Sequence, residues 1–120
     1  ATTESTVPWT TIMIRKSFGV AAAAHYGPDG YVLAWPSAES GPLPLEGGVA
    51  VAFKKEIAQS DDPEAKRKEL EEKMAKNQSP FPRAEAFSVH EIIDPRETRK
   101  YVALWAERIQ SQLKASLMKR

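Results

Sequence analysis

The sequence contains no cysteine among its 120 residues. Disulfide bonds, thiolate metal sites and cysteine nucleophiles are therefore excluded. A cysteine-free chain fits a cytoplasmic location most simply, or the mitochondrial matrix in a eukaryote. Long hydrophobic runs are also lacking, since no apolar stretch approaches the roughly 18 residues that a membrane span needs. We therefore expect neither a disulfide framework nor a membrane partner.

A charge excess of either sign is missing as well. The chain carries 17 basic and 16 acidic residues, and the two signs interleave along the sequence. Nucleic-acid binding needs a basic stripe or patch, so no nucleic-acid partner is expected. The hydrophobic fraction of 42% is typical of an ordinary globular protein. At this length we expect one domain over residues 1–120.

Catalytic side chains are scarce. The two histidines, His25 and His90, lie far apart in the sequence, and we interpret each as a structural or surface residue. No G-x-S-x-G motif is present, and Ser17 is interpreted as a turn residue. Most carboxylates fall in charged helical stretches, where they are typical of a solvated surface. The side chains thus offer no convincing acid, base, nucleophile or metal site.

The first half of the chain mixes strand and helix patterns. Apolar and β-branched residues predict strands, whereas alanine is the best helix former. The predicted strands are Thr10–Arg15 and Tyr31–Trp35, with a short extended piece at Ala38–Ser40. The predicted helices are Val20–Tyr26, ended by the turn residues Gly27–Gly30, and a mostly buried helix at Leu45–Ile57.

The second half is mainly helical. Asp62 before Pro63 predicts a helix N-terminus, and the charged stretch continues to Lys76. One more helical turn is predicted at Arg83–Phe87, then a short strand at Val89–Ile93. Asp94 begins a last, amphipathic helix. The residues expected to face other elements are Ala65, Leu70, Met74 and Ala75 in the first helix, and Val102, Trp105, Ile109 and Leu113 in the last.

Small residues mark two places where the backbone itself can act. Gly19 predicts a turn between a strand and an alanine-rich helix, and amide N–H groups at such a helix start suit a developing oxyanion. The pair Gly47 and Gly48 costs about 1 kcal/mol per glycine in a helix. We therefore expect something to approach the backbone closely at that pair.

Several stretches, taken together, resemble one enzyme family. They are VPWTTIMIRKSFG, AWPSAE, LEGGVAVAFKKEI, DPEAKRKELEEKM and VHEIIDPRETRKYVALW, in this order. The chain from about Val7 to Leu113 closely resembles the C-terminal part of the carboxyltransferase subunit of biotin-dependent acyl-CoA carboxylases, such as propionyl-CoA carboxylase. Four of the five stretches, all but DPEAKRKELEEKM, carry specific family motifs in the same order, which makes coincidence a poor explanation.

The resemblance implies an α/β fold of the crotonase type, here the C-terminal half of a ββα spiral with long C-terminal helices. It implies a carboxyltransferase that moves a carboxyl group from carboxybiotin, on a carrier protein, to an acyl-CoA. The implied partners are the biotin carrier domain and an N-terminal carboxyltransferase half that binds the acyl-CoA, within a homo- or hetero-oligomer. The family obtains its base from biotin, so no basic side chain is required.

The resemblance also implies site residues. It places the biotin-side oxyanion hole, made of backbone amides, at Gly19, Val20 and Ala21. Cofactor binding is expected at Phe18, Ala22, Gly47 and Gly48, and no metal is expected. The position that selects the acyl group falls near Ala22 or Ala23.

The sequence departs from the family pattern at a few positions. Most members have a second glycine where Val20 stands. Valine limits how close a ligand can lie and disfavours positive φ, so the hole is expected to be altered or lost. Pro42 and Pro44 are additions. The alternative function is therefore a non-catalytic oligomerisation module derived from the same fold. Because a complete domain of this type has roughly 200 residues, we expect an excised C-terminal part that exposes apolar edges and needs a partner.

Overall fold

Two small parallel sheets form the centre of the molecule. The structure is a computed structural model, and it describes residue 4, residues 7–26 and residues 30–117. One sheet contains three strands in the order β1 (Thr10–Met13), β3 (Tyr31–Ala34) and β5 (Glu91–Ile92). The other pairs β2 (Lys16–Phe18) with β4 (Glu39–Gly41). All of these strand pairs are parallel.

Six α-helices accompany the strands in the described part of the chain. They are α1 (Gly19–Ala24), α2 (Leu45–Ala52), α3 (Lys54–Ala58), α4 (Pro63–Gln78), α5 (Pro80–Glu85) and α6 (Thr98–Leu117). A short 3-10 helix at Pro95–Glu97 precedes α6. None of these helices is both long and apolar enough to cross a membrane.

The chain repeats one structural unit, two strands followed by a helix. β1, β2 and α1 form the first unit, and β3, β4 and α2 form the second. The units stack in register, because Thr10 pairs with Tyr31 in one sheet and Phe18 pairs with Gly41 in the other. The start of α1 therefore lies beside the end of β4. This succession of ββα units is the α/β spiral that the family resemblance implies.

The core lies around the central strand β3. Val32, Leu33 and Ala34 are all buried, as is expected for a parallel strand with neighbours on both sides. Met13 from β1 and Val89 before β5 join the same hydrophobic cluster. The strand predicted at Tyr31–Trp35 is thus confirmed, with its last residue outside the regular pairing.

Helix α4 begins where the sequence predicts. Asp62 lies at the N-cap, and its side chain accepts hydrogen bonds from the backbone N–H groups of Glu64, at 3.1 Å, and Ala65, at 3.0 Å. The helix ends at Gln78, two residues after the predicted end. Of its predicted contact residues, Leu70 is buried and Met74 is half-buried, whereas Ala65 and Ala75 are exposed. The contact face is therefore narrower than expected.

The single buried helix predicted at Leu45–Ile57 is wrong. The helix breaks at Phe53, whose φ of −111° and ψ of 23° lie outside the helical region, and α3 continues from Lys54. Val51 is 77% exposed, so the many apolar residues of this segment do not mean that the whole helix is buried. Gly47, with φ +83°, distorts the first turn of α2, which an unbroken helical pattern does not anticipate.

The remaining differences concern the ends of elements. The strand predicted at Thr10–Arg15 ends at Met13, and the chain turns there into β2 instead of continuing straight. The short pieces at Ala38–Ser40 and Val89–Ile93 become Glu39–Gly41 and Glu91–Ile92, because only those residues find strand partners. Helix α5 starts at Pro80, since Ser79 accepts a hydrogen bond from the Phe81 N–H. Of the predicted turn Gly27–Gly30, residues 27–29 lie outside the described residues.

Candidate functional site

The bend between β2 and α1 is the centre of the candidate site. Phe18 ends the strand in an extended conformation, and Gly19 follows with φ +79°. Only glycine adopts this left-handed conformation without strain, so the residue at this position is set by the bend itself. The sequence-based turn at Gly19 is confirmed.

Backbone N–H groups at the start of α1 lack a side-chain cap. Phe18 is the N-cap residue and provides no capping hydrogen bond. The N–H groups of the first helical turn have no acceptor within a helix, and Gly19, Val20 and Ala21 are the first three residues of this one. The bend can therefore supply backbone donors to an acceptor outside the helix.

Most family members have a glycine at the position of Val20, which suggests a positive φ there, but Val20 does not have a positive φ. The left-handed φ belongs to Gly19, and among the described residues Phe87 is the one non-glycine residue with positive φ. The Val20 side chain is 88% exposed. The valine therefore fits the helical backbone without strain.

A cleft of about 330 Å³ lies beside this bend. Its volume falls in the range of about 300–1,000 Å³ that is usual for small-molecule sites. The lining is Ser17, Gly19, Val20, Ala22, Ala23, Tyr26, Gly41, Pro42 and Arg83. Of the predicted site residues, the structure thus brings Gly19, Val20 and Ala22 to one cleft. Phe18 is not part of the lining but has its ring next to Gly41, and Ala21 is exposed outside the lining.

Gly47 and Gly48 do not line this cleft. The close approach predicted at the pair is present at Gly48, where an added Cβ would lie 3.0 Å from the Leu43 Cβ. Gly47 has open space around it and needs glycine for its φ of +83° instead. The approaching group is therefore part of the same chain, and cofactor binding at the pair stays a prediction.

Three polar side chains of the cleft were not anticipated as site residues. The Ser17 Oγ and the Tyr26 Oη lie 3.2 Å apart, and Tyr26 also donates to the Met13 Sδ at 3.3 Å. Arg83 reaches the cleft from α5, and its Nη1 donates to the Ser40 Oγ at 2.9 Å. Arg83 is far from the bend in sequence, so only the folded arrangement brings it there.

The cleft has a simple electrostatic character. Arg83 is the one charged side chain of its lining, and no acidic residue belongs to that lining. The described residues contain no group of three or more His, Asp or Glu side chains that could hold a metal ion. The arrangement can thus bind an uncharged or anionic ligand through backbone and side-chain donors.

Comparison with known proteins identifies the family. A family model described as a carboxyl transferase domain matches residues 1–120. The methylmalonyl-CoA carboxyltransferase 12S subunit of Propionibacterium freudenreichii subsp. shermanii is 39% identical over 107 residues, covering 86% of this chain and 20% of that protein. The propionyl-CoA carboxylase carboxyltransferase subunit of Haloferax mediterranei is 36% identical over 104 residues, covering 82% of this chain and 20% of that protein.

Solved structures agree with the sequence relatives. The transcarboxylase 12S crystal structure, a hexamer assembly with methylmalonyl-coenzyme A and methylmalonic acid bound, matches 92% of this chain and 22% of that one. The TM-score is 0.78 and the identity 37%. The structure of a single-chain, multi-domain long-chain acyl-CoA carboxylase also matches. The match covers 82% of this chain and 10% of the carboxylase chain, with a TM-score of 0.60 and 25% identity.

This chain spans 20% of the length of each of those two curated relatives. Its two stacked ββα units follow the same path as the corresponding part of the solved carboxyltransferases. The chain therefore belongs to the carboxyl transferase domain family, and its α/β fold is part of a crotonase-type spiral.

Proposed function

We propose that this chain forms the biotin-side half of a carboxyltransferase, which moves a carboxyl group from carboxybiotin to an acyl-CoA. The observation that carries the proposal is the bend at Gly19, where uncapped amides open beside a ligand-sized cleft in a member of the carboxyl transferase family. In this proposal the amides of Gly19, Val20 and Ala21 donate to the ureido oxygen of biotin.

The lining of the cleft suits the bicyclic ring of biotin. Alanine, valine and proline side chains and two glycines provide a mainly apolar wall with a few polar groups. Biotin, when bound, supplies the carboxyl group and, once it has lost that group, the base for the acyl-CoA. The amides of this chain hold the ureido oxygen and stabilise the negative charge that develops on it as the carboxyl group leaves.

Partners follow from the same proposal. The cleft takes biotin from a carrier protein domain, and the acyl-CoA is bound by an N-terminal carboxyltransferase half. Ala22 supports the ring from the α1 side, Phe18 supports the lining residue Gly41, and Gly47 and Gly48 belong to the wider cofactor surface. The relative from Propionibacterium acts on methylmalonyl-CoA according to its name, which makes this thioester a suitable probe.

The test uses the assembled carboxyltransferase that contains this chain. Methylmalonyl-CoA and free biotin are supplied, and the transfer of the carboxyl group to biotin is measured. Ala21→Pro removes one N–H donor in the first helical turn, where proline is tolerated sterically. We expect kcat to fall by about 100- to 1,000-fold, as for the loss of one oxyanion donor.

Two control variants separate the amide from the side chain. Ala21→Gly keeps the N–H and is expected to retain transfer. Val20→Gly is expected to be neutral or to increase transfer, because it removes the methyl groups that limit the approach of biotin. Unchanged transfer in Ala21→Pro would refute the role of these amides.

A second function, an oligomerisation module without catalysis, rests on a different part of the molecule. Along α6, Val102, Trp105 and Ile109 are only half-buried, and Leu113 is exposed. Helix α6 therefore presents apolar surface to a partner whether or not the cleft is active. Oligomerisation without any carboxyl transfer in the assembled protein would favour this second function.

A further inference from the structure

Helix α1 has little packing to hold it in place. None of its residues is buried, and its first turn has no side-chain cap. A helix this short is not stable by itself, because helix nucleation is unfavourable and most helical stability in proteins comes from packing. The direction in which its backbone N–H groups point therefore depends on contacts made next to the helix.

Tyr26, which follows the end of α1, ties the helix to the core. Its ring packs against the hydrophobic cluster that contains Met13 and Val89. Its hydroxyl group donates to the Met13 Sδ at 3.3 Å. The Thr11 hydroxyl donates to the carbonyl of His25, the residue before Tyr26, at 2.7 Å. The C-terminal end of α1 is thus fixed to strand β1.

The Tyr26 hydroxyl also contacts the chain on the other side of the bend. It lies 3.2 Å from the Oγ of Ser17, which belongs to β2 and precedes Gly19 by two residues. A phenol has one hydrogen, and that of Tyr26 is directed to Met13, so Ser17 is the donor in this pair. The two hydroxyl groups thereby close residues 17–26 into a loop that contains the bend and α1.

We propose that Tyr26 is a positioning residue for the backbone amides of the bend. Its hydroxyl group, bonded on both sides within the chain, keeps α1 at a fixed angle to β2. That angle sets where the N–H groups at Gly19–Ala21 point. Donors that are oriented before the reaction stabilise a developing charge best, and a displacement of about 1 Å can cost about 100-fold in rate. The reaction concerned rests on the proposed function, whereas the closed loop rests on the geometry alone.

The first experiment tests the loop without measuring activity. Tyr26→Phe keeps the ring and its packing but removes the hydroxyl group. Amide hydrogen exchange of residues 17–26 is measured by mass spectrometry in the assembled protein. The N–H groups of His25 and Tyr26 donate to carbonyls of α1 at 3.1 and 3.2 Å, and we expect their exchange to become about 3- to 10-fold faster in the variant. Unchanged exchange would overturn the proposal.

The second experiment measures transfer of the carboxyl group from methylmalonyl-CoA to free biotin. Displaced donors stabilise the developing charge less well, while the uncharged ring is bound nearly as before. Tyr26→Phe is therefore expected to lower kcat by about tenfold, and the KM for biotin is expected to stay within about twofold. A raised KM at unchanged kcat would make Tyr26 a binding contact and would overturn the positioning role.

A double-mutant cycle tests whether Ser17 and Tyr26 act together. Ser17→Ala removes the other hydroxyl group of the pair and leaves the bond from Tyr26 to Met13 in place, so its loss of kcat is expected to be the smaller one. Because Ser17 acts through Tyr26, the double variant should lose no more than Tyr26→Phe alone. Losses that multiply would show independent roles and would contradict the proposal.

Tyr31→Phe is the matched control. It also removes a hydrogen-bonded phenol hydroxyl, whose partner is Glu91, but it lies outside the lining of the cleft. We expect transfer and the exchange of residues 17–26 to be retained in this variant. An equal loss of kcat in Tyr31→Phe and Tyr26→Phe would show that general destabilisation is responsible, and the positioning role would fail.

The outcomes also separate the two proposals. Loss of transfer in Ala21→Pro together with retained transfer in Tyr26→Phe would leave the amide site in place and remove Tyr26 from it. Retained transfer in Ala21→Pro together with a loss in Tyr26→Phe would refute the amide site and, with it, the positioning role. In either case the hydrogen exchange of residues 17–26 reports independently on the loop.

Discussion

Folding changes the ionisation of the Tyr31 phenol. Burial and a hydrogen bond to the Glu91 carboxylate raise the pKa of its phenol from 10.0 to about 12. Burial is the larger cause, and the negative charge of Glu91 acts in the same direction. The neutral phenol is therefore favoured in the folded protein.

The raised pKa predicts how stability depends on alkaline pH. Because the folded pKa is higher than the unfolded one, the contribution of Tyr31 to stability is complete below pH 10 and is lost as the pH rises towards 12. Ultraviolet absorbance of the phenolate, taken as the difference between the parent and Tyr31→Phe, measures this titration. Glu91→Gln is expected to lower the midpoint, and a midpoint at the ordinary pKa in the parent would contradict the assignment.

Single residues differ in how far the sequence predicts them. Gly19 was predictable because a strand, a glycine and a run of alanines follow one another, and that order requires a bend. The sequence pattern predicted a close approach of another group at Gly47. The structure shows instead that the backbone at Gly47 is left-handed, and the neighbouring residues do not reveal this conformation. Arg83 was not predictable as a site residue, because its partner Ser40 lies 43 residues away.

Helix α5 ends in a recognisable hydrogen-bond pattern. The Phe87 N–H donates to the Ala84 carbonyl at 3.0 Å, and the Ser88 N–H to the Arg83 carbonyl at 2.8 Å. This is the Schellman motif, whose residue after the cap has a left-handed backbone and is usually glycine. Here Phe87 takes that position with φ 55°, and its side chain is 90% exposed. The ring therefore contributes little packing in return for the strained backbone.

Replacing Phe87 with glycine is expected to stabilise the protein. The left-handed conformation costs a residue with a Cβ about 1–2 kcal/mol, and the flexibility of glycine in the unfolded state offsets part of the gain. We expect the free energy of unfolding in urea to rise by about 1 kcal/mol. Phe87→Ala removes the ring but keeps the Cβ, so it should give no comparable gain. Equal effects of both variants would show that the ring, not the backbone, is responsible.

Elements with strong local signals were predicted well, and elements without them were not. The N-cap at Asp62 and the spacing of apolar residues in α6 depend on neighbours along the chain, so the pattern alone locates both helices. The short strands β4 and β5 depend on partners from distant segments. Tertiary contacts decide such boundaries, and a single sequence does not contain them.

The whole molecule is elongated. Its radius of gyration is 18.6 Å and its longest dimension is 66 Å, whereas a compact domain of this length has a radius of gyration of about 14 Å. Helix α6 accounts for part of the length, with its 20 residues and its half-covered apolar side. The family motifs allowed the fold class to be predicted. The extent to which the apolar side of α6 stays uncovered could be seen only in the structure.

This surface predicts association through α6. Ile109→Glu places a charge on the apolar side and is expected to weaken association of the assembled protein by about tenfold or more, since burying such a side chain contributes about 1.5–3 kcal/mol. Gln110→Glu adds the same charge at the neighbouring exposed position and should have little effect. Sedimentation equilibrium measures both. Equal association of the two variants would exclude α6 from the interface.

The most direct test of the account is a crystal structure of the assembled protein with biotin bound. We predict that the ureido oxygen lies about 2.7–3.2 Å from backbone nitrogens of the bend at Gly19, Val20 and Ala21. A biotin whose ureido oxygen is bonded elsewhere, with these amides turned to water or to other protein groups, would contradict the account.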